Sequence, residues 1–258
     1  MTVRRLEQPR GWAFVLGVAI VKPAMFALTR RSWLDGEKIP ASGGCVIVLN
    51  HVSHVDPFTT AHLLYDHGRL PRYLAKSGLF DNKLLSVFLR SAGQIPVRRL
   101  SVDAAGAYDA AVAAVEAGEC VVVYPEGTIT RDPDLWPMVG KSGAARIALA
   151  TGCPVIPVAH WGVQRILPPY GRPDLFPRKR ITYRVGDPVP FEDLRALPPS
   201  PEVTRRATDR IMDAITEILA DVRGEEPPAE RFDPRAAGVK EIGNPKKQAK
   251  RKKGKGRG

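Results

Sequence analysis

Two histidines, a serine and an aspartate share the seven residues Asn50-His51-Val52-Ser53-His54-Val55-Asp56, directly after the apolar run Cys45-Val46-Ile47-Val48-Leu49. A histidine held by a carboxylate is a general base, able to take a proton from a hydroxyl near neutral pH. His51 and Asp56 are the candidate pair, and their spacing sets a geometric condition. Five residues apart on one helix, they would point about 140° away from each other. They meet only when His51 sits on a strand-to-helix turn and Asp56 in the first helical turn. Ser53-His54-Val55-Asp56 fits the S/T-x-x-D/E pattern of a helix start, with Ser53 expected as the N-cap and Asp56 at the third helical position. Taken alone, that helix start also accounts for the motif without catalysis. His54 is expected at the surface.

Three further stretches carry groups that suit a phosphate-bearing substrate. In Tyr124-Pro125-Glu126-Gly127-Thr128-Ile129-Thr130-Arg131-Asp132, Pro125 cannot continue a central strand and Gly127 permits backbone conformations closed to other residues. A glutamate, two hydroxyls and Arg131 on that loop can bind a polar ligand; an ordinary surface turn fits the same residues. Gly93-Gln94-Ile95-Pro96-Val97-Arg98-Arg99 places two arginine forks, which match phosphate oxygens, after a short extended segment, where a solvated basic turn is the plain alternative. Val139-Gly140-Lys141-Ser142-Gly143 has the end of a GxxxxGK[ST] loop, but Leu135 stands where its first glycine belongs and no strand leads into it. A nucleoside triphosphatase of that type is excluded. Lys141 can still reach a phosphate from a helix N-terminus.

The elements that must position these groups follow from the alternation of short apolar runs with amphipathic stretches between residues 33 and 222, the pattern of an α/β domain. Strands are expected at Cys45–Leu49, Tyr73–Ala75, Cys120–Tyr124, Val155–Ala159 and Ile181–Val185, and helices from near Asp56, Lys83, Val102, Ser142 and Pro201. Val46-Ile47-Val48 and Val121-Val122-Val123 are apolar without alternation, as in strands covered on both faces. In such sheets ligands collect beyond the carboxyl ends of the strands. If those two strands are parallel neighbours, the His51 and Glu126 loops form one site. The expected fold is therefore a central mostly parallel or mixed sheet flanked by helices, over residues 33–224.

The two ends differ in composition from that domain. Between Lys240 and Gly258, nine basic residues and one acid supply +8 of the net +12. With almost no apolar residues, 225–258 is expected to be a disordered polybasic tail. It lacks the interleaved aromatics of a nucleic-acid binder, so no specific nucleic acid is expected. Anionic headgroups, at about 1 kcal/mol per Lys or Arg, are the better partner, with a merely solubilising extension the alternative. At the other end, Trp12 to Leu28 is apolar but only 17 residues long, interrupted by Lys22-Pro23 and flanked by Arg4, Arg5, Arg10, Arg30 and Arg31. A spanning helix needs about 20 residues. Residues 1–32 are thus expected as a helical segment lying in the membrane interface, kinked at Pro23, with a helix packed on the domain core as the alternative. Cys45, Cys120 and Cys153 show neither CxxC nor Cys/His spacing, which argues for buried thiols and against a zinc site.

Taken together and in order, four of these blocks resemble the 1-acylglycerol-3-phosphate acyltransferase family. Asn50-His51-Val52-Ser53-His54-Val55-Asp56 is similar to the family's NHxSxxD block, Gly93–Arg99 to its second, Tyr124-Pro125-Glu126-Gly127-Thr128 to its PEGT block, and Val155-Ile156-Pro157-Val158 to its fourth. The resemblance implies that His51 is the general base and Asp56 orients it. Glu126, Gly127, Thr128 and Arg99 would hold the glycerol phosphate, assisted by Arg98, Arg131 and Lys141. The nucleophile would be the hydroxyl of lysophosphatidate, attacking an acyl-CoA or acyl carrier protein thioester. No bound cofactor or metal is implied. The partners would be a membrane surface and a lysophospholipid, at the cytoplasmic face of the plasma membrane, with the protein peripheral or monotopic. Two departures bear on the acceptor: Arg98 where an acid is common, and Ile129 where an arginine commonly follows EGT. Another lysophospholipid or glycolipid is the alternative acceptor. A hydrolase or thioesterase using Ser53 is a further alternative, although no G-x-S-x-G elbow surrounds that serine.

Overall fold

The computed structural model of the protein describes residues 4–6, 8–9, 11–97 and 104–240. In chain order these form α1 (Trp12–Leu28), β1 (Thr29–Leu34), β2 (Cys45–Leu49), α2 (Asp56–Asp66), β3 (Pro71–Lys76), α3 (Lys83–Ser91), β4 (Ile95–Val97) and α4 (Ala104–Glu116). They continue with β5 (Cys120–Val123), α5 (Gly143–Thr151), β6 (Val155–Trp161), β7 (Lys179–Val185), α6 (Glu192–Arg195) and α7 (Pro201–Arg223). The seven strands lie in the order β1-β7-β6-β2-β5-β3-β4. The β6, β2, β5, β3 and β4 strands are mutually parallel, β7 runs antiparallel to β6, and β1 is parallel to β7. The fold is α/β with a mixed sheet flanked by helices, as the sequence pattern predicts.

The side-chain alternation of the strands divides the core in two. Val46, Val48, Val121 and Val123 pack with α4, α5 and α7 on one face. Ile47, Leu49, Val122, Ile156 and Val158 pack with Leu63 and Leu64 of α2 on the other. Burial on both faces explains why these strands read as unbroken apolar runs. Cys45 and Cys120 are register partners inside this core, and all three cysteines are buried free thiols.

Two strands escape the sequence reading. The β1 segment, Thr-Arg-Arg-Ser-Trp-Leu, carries paired arginines and no apolar alternation; it pairs with β7 alone, at the sheet edge, where solvent accepts charge. The boundary drawn at residue 32 falls inside this strand. The β4 segment has three residues and is the short extended stretch before Arg98 and Arg99. Residues 225–240 also depart from the expectation of disorder. Phe232 O accepts a hydrogen bond from Val139 N, 3.1 Å, Arg231 bonds Asp213 of α7, and Pro234 is buried. The expectation for 241–258 lies outside the described residues.

The first helix is a single 17-residue element with Pro23 inside it. Among the described residues, no helix is long and apolar enough to cross a membrane. One buried carboxylate ties α1 to the domain. Asp66, at the end of α2, accepts from Lys22 Nζ at 2.9 Å and from Trp33 Nε1 at 3.1 Å, with His62 Nε2 at 3.4 Å. Burial acts to raise the Asp66 carboxyl, but the Lys22 and Trp33 hydrogen bonds hold it below its ordinary value. Burial pushes His62 down to about 4, so it stays neutral beside them. Asp66→Ala leaves a partly buried Lys22 without this partner. We expect a loss of about 2 kcal/mol, between the values for exposed and buried pairs. Urea denaturation checks the loss, and limited proteolysis checks the expected faster cleavage within α1.

Candidate active site

The site begins where β2 stops. Past Leu49 the ladder is continued by a side chain: Asn50 Nδ2 donates to His160 O at 3.0 Å and Asn50 Oδ1 accepts from His160 N at 2.9 Å. This double bond pins the end of β2 to β6 just before the chain turns. His51 therefore enters the turn from a fixed point, and Asp56 opens α2 four residues after the turn begins. His51 Nδ1 lies 2.8 Å from Asp56 Oδ2, so the pair closes as its spacing requires. The same oxygen accepts from the backbone N–H of Val52 at 2.7 Å and of Ser53 at 2.8 Å. Asp56 is fully buried, whereas the His51 side chain keeps 15% of its surface exposed.

Ser53 does not take the expected role. The helix starts later, Val55 occupies the cap position, and Asp56 is the first helical residue, not the third. Ser53 Oγ instead donates to Leu167 O at 2.7 Å and accepts from Val55 N at 3.1 Å. A serine that bonds two residues ahead stabilises a turn in competition with the helix, and Pro57 prefers the first turn, which moves the start forward. His54 is exposed before the helix, and burial and the neighbouring His51 lower its pKa.

Because β2 and β5 are parallel neighbours, the loop after β5 lies against this turn. Glu126 is fully buried and turns away from the cavity. Its Oε1 accepts from His51 N at 2.9 Å and its Oε2 from Met138 N at 3.2 Å. Its carboxyl holds the His51 backbone, and Thr130 N adds a bond to His51 O at 2.8 Å. Gly127 adopts φ +68° and the Lys141 side chain lies across it, 3.0 Å from where a Cβ would stand. The left-handed backbone there favours glycine.

Gly127, Thr128 and Lys141 line a cavity of about 1470 Å³ that also receives His51 and runs between α1, α2, α3 and β3. Its walls are mostly apolar, with Phe14, Val18, Phe58, Leu74 and Phe88 among them. Arg131 donates to the Tyr170 hydroxyl and lies 5.0 Å from its ring centroid, at the rim where Tyr170 meets His54. Arg98 and Arg99 lie outside the described residues. Ile129, in the position after EGT, is buried.

The acyltransferase family model matches residues 33–161, half of the chain, and takes in both loops of the site. The chain belongs to this acyltransferase family. The 1-acyl-sn-glycerol-3-phosphate acyltransferase of Bacillus subtilis is 30% identical over 185 residues, covering 70% of this chain and 84% of its own length. The chloroplastic 1-acyl-sn-glycerol-3-phosphate acyltransferase BAT2 of Brassica napus is 32% identical over 136 residues, 51% of this chain and 37% of that protein. The crystal structure of PlsC, the 1-acyl-sn-glycerophosphate acyltransferase of Thermotoga maritima, superposes with a TM-score of 0.61 at 20% identity, covering 83% of this chain and 81% of that one. The acyltransferase fold is thus shared at a level where sequence identity alone says little.

Around the acyltransferase turn stand residues the sequence motifs do not single out. Tyr124 stacks on the His51 ring, centroids 4.3 Å apart. His160 stacks on Tyr183, and its Nε2 is 3.0 Å from Asn50 O and 3.6 Å from Asp56 Oδ2. Burial keeps His160 below its ordinary range and pushes the Tyr73, Tyr124 and Tyr183 phenols up, so the cluster behind Asp56 is uncharged. The apolar block Val155–Val158 runs straight into His160, and that continuity is the one signal in the sequence that could have found it.

Glu126 has a measurable consequence. Burial raises its carboxyl from 4.5 to about 8, against the opposing Met138 and His51 backbone donors. Between about pH 4.5 and about pH 8 the folded protein holds a proton that the unfolded chain has released. The contribution of neutral Glu126 is therefore complete below that window and declines as pH rises through it. Glu126→Gln should flatten the decline, which paired denaturant titrations at the two ends of the window will read.

Proposed function

We propose that the protein is a glycerolipid O-acyltransferase that moves a fatty acyl group from an acyl thioester to the free hydroxyl of 1-acylglycerol-3-phosphate, giving phosphatidate. The observation that carries this reading is the 2.8 Å His51 Nδ1–Asp56 Oδ2 contact on the wall of a large apolar cavity. With Nδ1–H donated to Asp56, Nε2 carries the free lone pair and is the base. His51 Nε2 takes the proton of the acceptor hydroxyl as that oxygen attacks the thioester carbonyl. Collapse of the tetrahedral intermediate breaks the carbon–sulfur bond, and the proton on His51 passes to the departing thiolate. Asp56 stabilises the imidazolium between the two transfers. The substrate is its own nucleophile, which agrees with Ser53 being committed to Leu167 and with three buried cysteines.

The named activity of the Bacillus relative supports lysophosphatidate as the acceptor. Lys141, Arg131, Arg98 and Arg99 are the cations assigned to its phosphate, and Thr128 the hydroxyl beside it. Acyl chains occupy the apolar cavity, and the donor is acyl-CoA or acyl carrier protein. Gly127 lines the cavity beside Thr128, and Glu126 holds the His51 backbone just behind it. Ile129, buried where an arginine commonly follows EGT, supports another lysophospholipid or a glycolipid as the alternative acceptor. The exposed apolar face of α1 lies in the membrane interface at the cytoplasmic side of the plasma membrane.

His51→Ala should lower kcat by about 100-fold or more in a variant that still folds, as checked by circular dichroism. Asp56→Asn should act in the same direction, because an amide cannot stabilise the imidazolium. Release of thiol from acyl-CoA, measured across a panel of lysophospholipids, checks both reactivity and acceptor; retained turnover in His51→Ala refutes the mechanism.

A further inference from the structure

The loop joining β6 to β7 carries two large apolar side chains at its tip, Leu175 and Phe176, exposed to 42% and 70%. They are not there through slackness of the loop. The turn that carries them is closed by the Lys179–Asp174 ion pair at 2.7 Å, and Asp174 N in turn donates to Ile166 O at 2.8 Å. A second turn is fixed by Gly171 N donating to Pro168 O at 2.9 Å. The ion-paired turn leaves the apolar surface of Leu175 and Phe176 at its tip in solvent, although burying a phenylalanine and a leucine would be favourable.

Charge surrounds the tip. Arg172 and Arg178 flank it and are exposed. Arg30 and Arg180, also exposed, stand side by side as register partners at the start of β1 and β7. The acid of the loop, Asp174, is already paired with Lys179. An apolar tip ringed by arginines complements an anionic bilayer: the rings enter the interfacial layer and the guanidiniums meet phosphates.

Topology places this tip beside α1. The β1 and β7 strands are parallel, so the segments that lead into them, α1 and the loop, reach the sheet at the same edge. Arg178 Nη2 donates to Thr29 O, the residue that ends α1, at 2.7 Å. The exposed Ile20 and Phe26 of α1 therefore lead toward Leu175 and Phe176. The other limb of the loop reaches the active site, where Leu167 O receives the Ser53 hydroxyl and Tyr170 lines the cavity.

We propose that the Pro168–Arg178 loop is a membrane-docking finger, whose Leu175 and Phe176 enter the interface of an anionic bilayer while Arg172 and Arg178 bind its headgroup phosphates, setting the mouth of the cavity at the lipid surface. The finger deepens the acyl-transfer reading and rests on it for its purpose, but vesicle binding tests it separately. The probes are phosphatidylcholine vesicles with and without phosphatidylglycerol, scored by co-sedimentation of the full chain. Leu175→Ser/Phe176→Ser should weaken partition by about ten-fold or more on both compositions. Arg172→Gln should weaken it only where phosphatidylglycerol is present, which separates headgroup contact from apolar insertion. Turnover of vesicle-borne lysophosphatidate should fall in parallel in the double variant, while turnover of a soluble short-chain analogue stays at the wild-type level. Unchanged partition of the double variant overturns the proposal. A loss confined to reactions with an acidic carrier protein as donor, with partition intact, overturns it in favour of a protein partner. Absence of turnover in the wild type on both substrates refutes the acyl-transfer reading instead, and partition then still decides the finger.

Discussion

A carboxylate taken wholly out of water must be given donors, and the turn between β2 and α2 is built to supply them. Asp56 Oδ2 collects the N–H groups of Val52 and Ser53 and the Nδ1–H of His51. Two of these donors are backbone, so the loop cannot relax without leaving the charge unpaired, a cost of several kcal/mol. The imidazole is then held by the same oxygen that holds the loop. Everything else near the site secures the two ends of this arrangement: Asn50 clamps the strand side to β6, and Glu126 and Thr130 clamp the His51 backbone from β5. An imidazole positioned this way could exchange a proton without reorganisation of the turn.

The sheet topology decides what reaches that turn. Five parallel strands deliver their carboxyl ends to one edge, where the His51 and Glu126 loops meet. The reversal at β7, repeated by β1, brings two further segments to the same edge, because an antiparallel strand begins where its neighbours end. Those segments are α1 and the β6–β7 loop, which are among the strongest exposed apolar features of the described residues. The His51–Asp56 turn, an apolar cavity and two elements with exposed apolar side chains thus share one edge of the sheet. The Asp66 cluster fixes α1 there through Lys22, so an apolar helix is oriented by its one basic side chain.

Much of this was legible in the residues themselves. Cys45–Leu49 and the helices from Lys83 and Pro201 stand where the sequence places them, because unbroken β-branched runs and strong periodicity leave little choice. Thr29–Leu34 was not legible, since an edge strand with one partner carries no apolar signature. The Ser53 cap was misread because a serine two residues before a turn and a serine before a helix have the same local pattern; Pro57 and the Leu167 carbonyl settle which one forms.

The contrast is sharpest at the site. The sequence by itself determined that His51 and Asp56 can meet, since their spacing closes across a strand-to-helix turn and the apolar run before them demands one. It likewise determined that Gly127 permits backbone conformations closed to other residues. Only the tertiary structure decided that Lys141 lies across it, that Glu126 faces the backbone of His51, and that Tyr124 and His160 back the pair. The physical reason is the range of the interactions. Backbone reach and strand covering act over a few residues and are written in local spacing, whereas the direction of a buried carboxyl depends on which unpaired N–H groups, 75 residues away in the case of His51, the packed sheet brings within its reach.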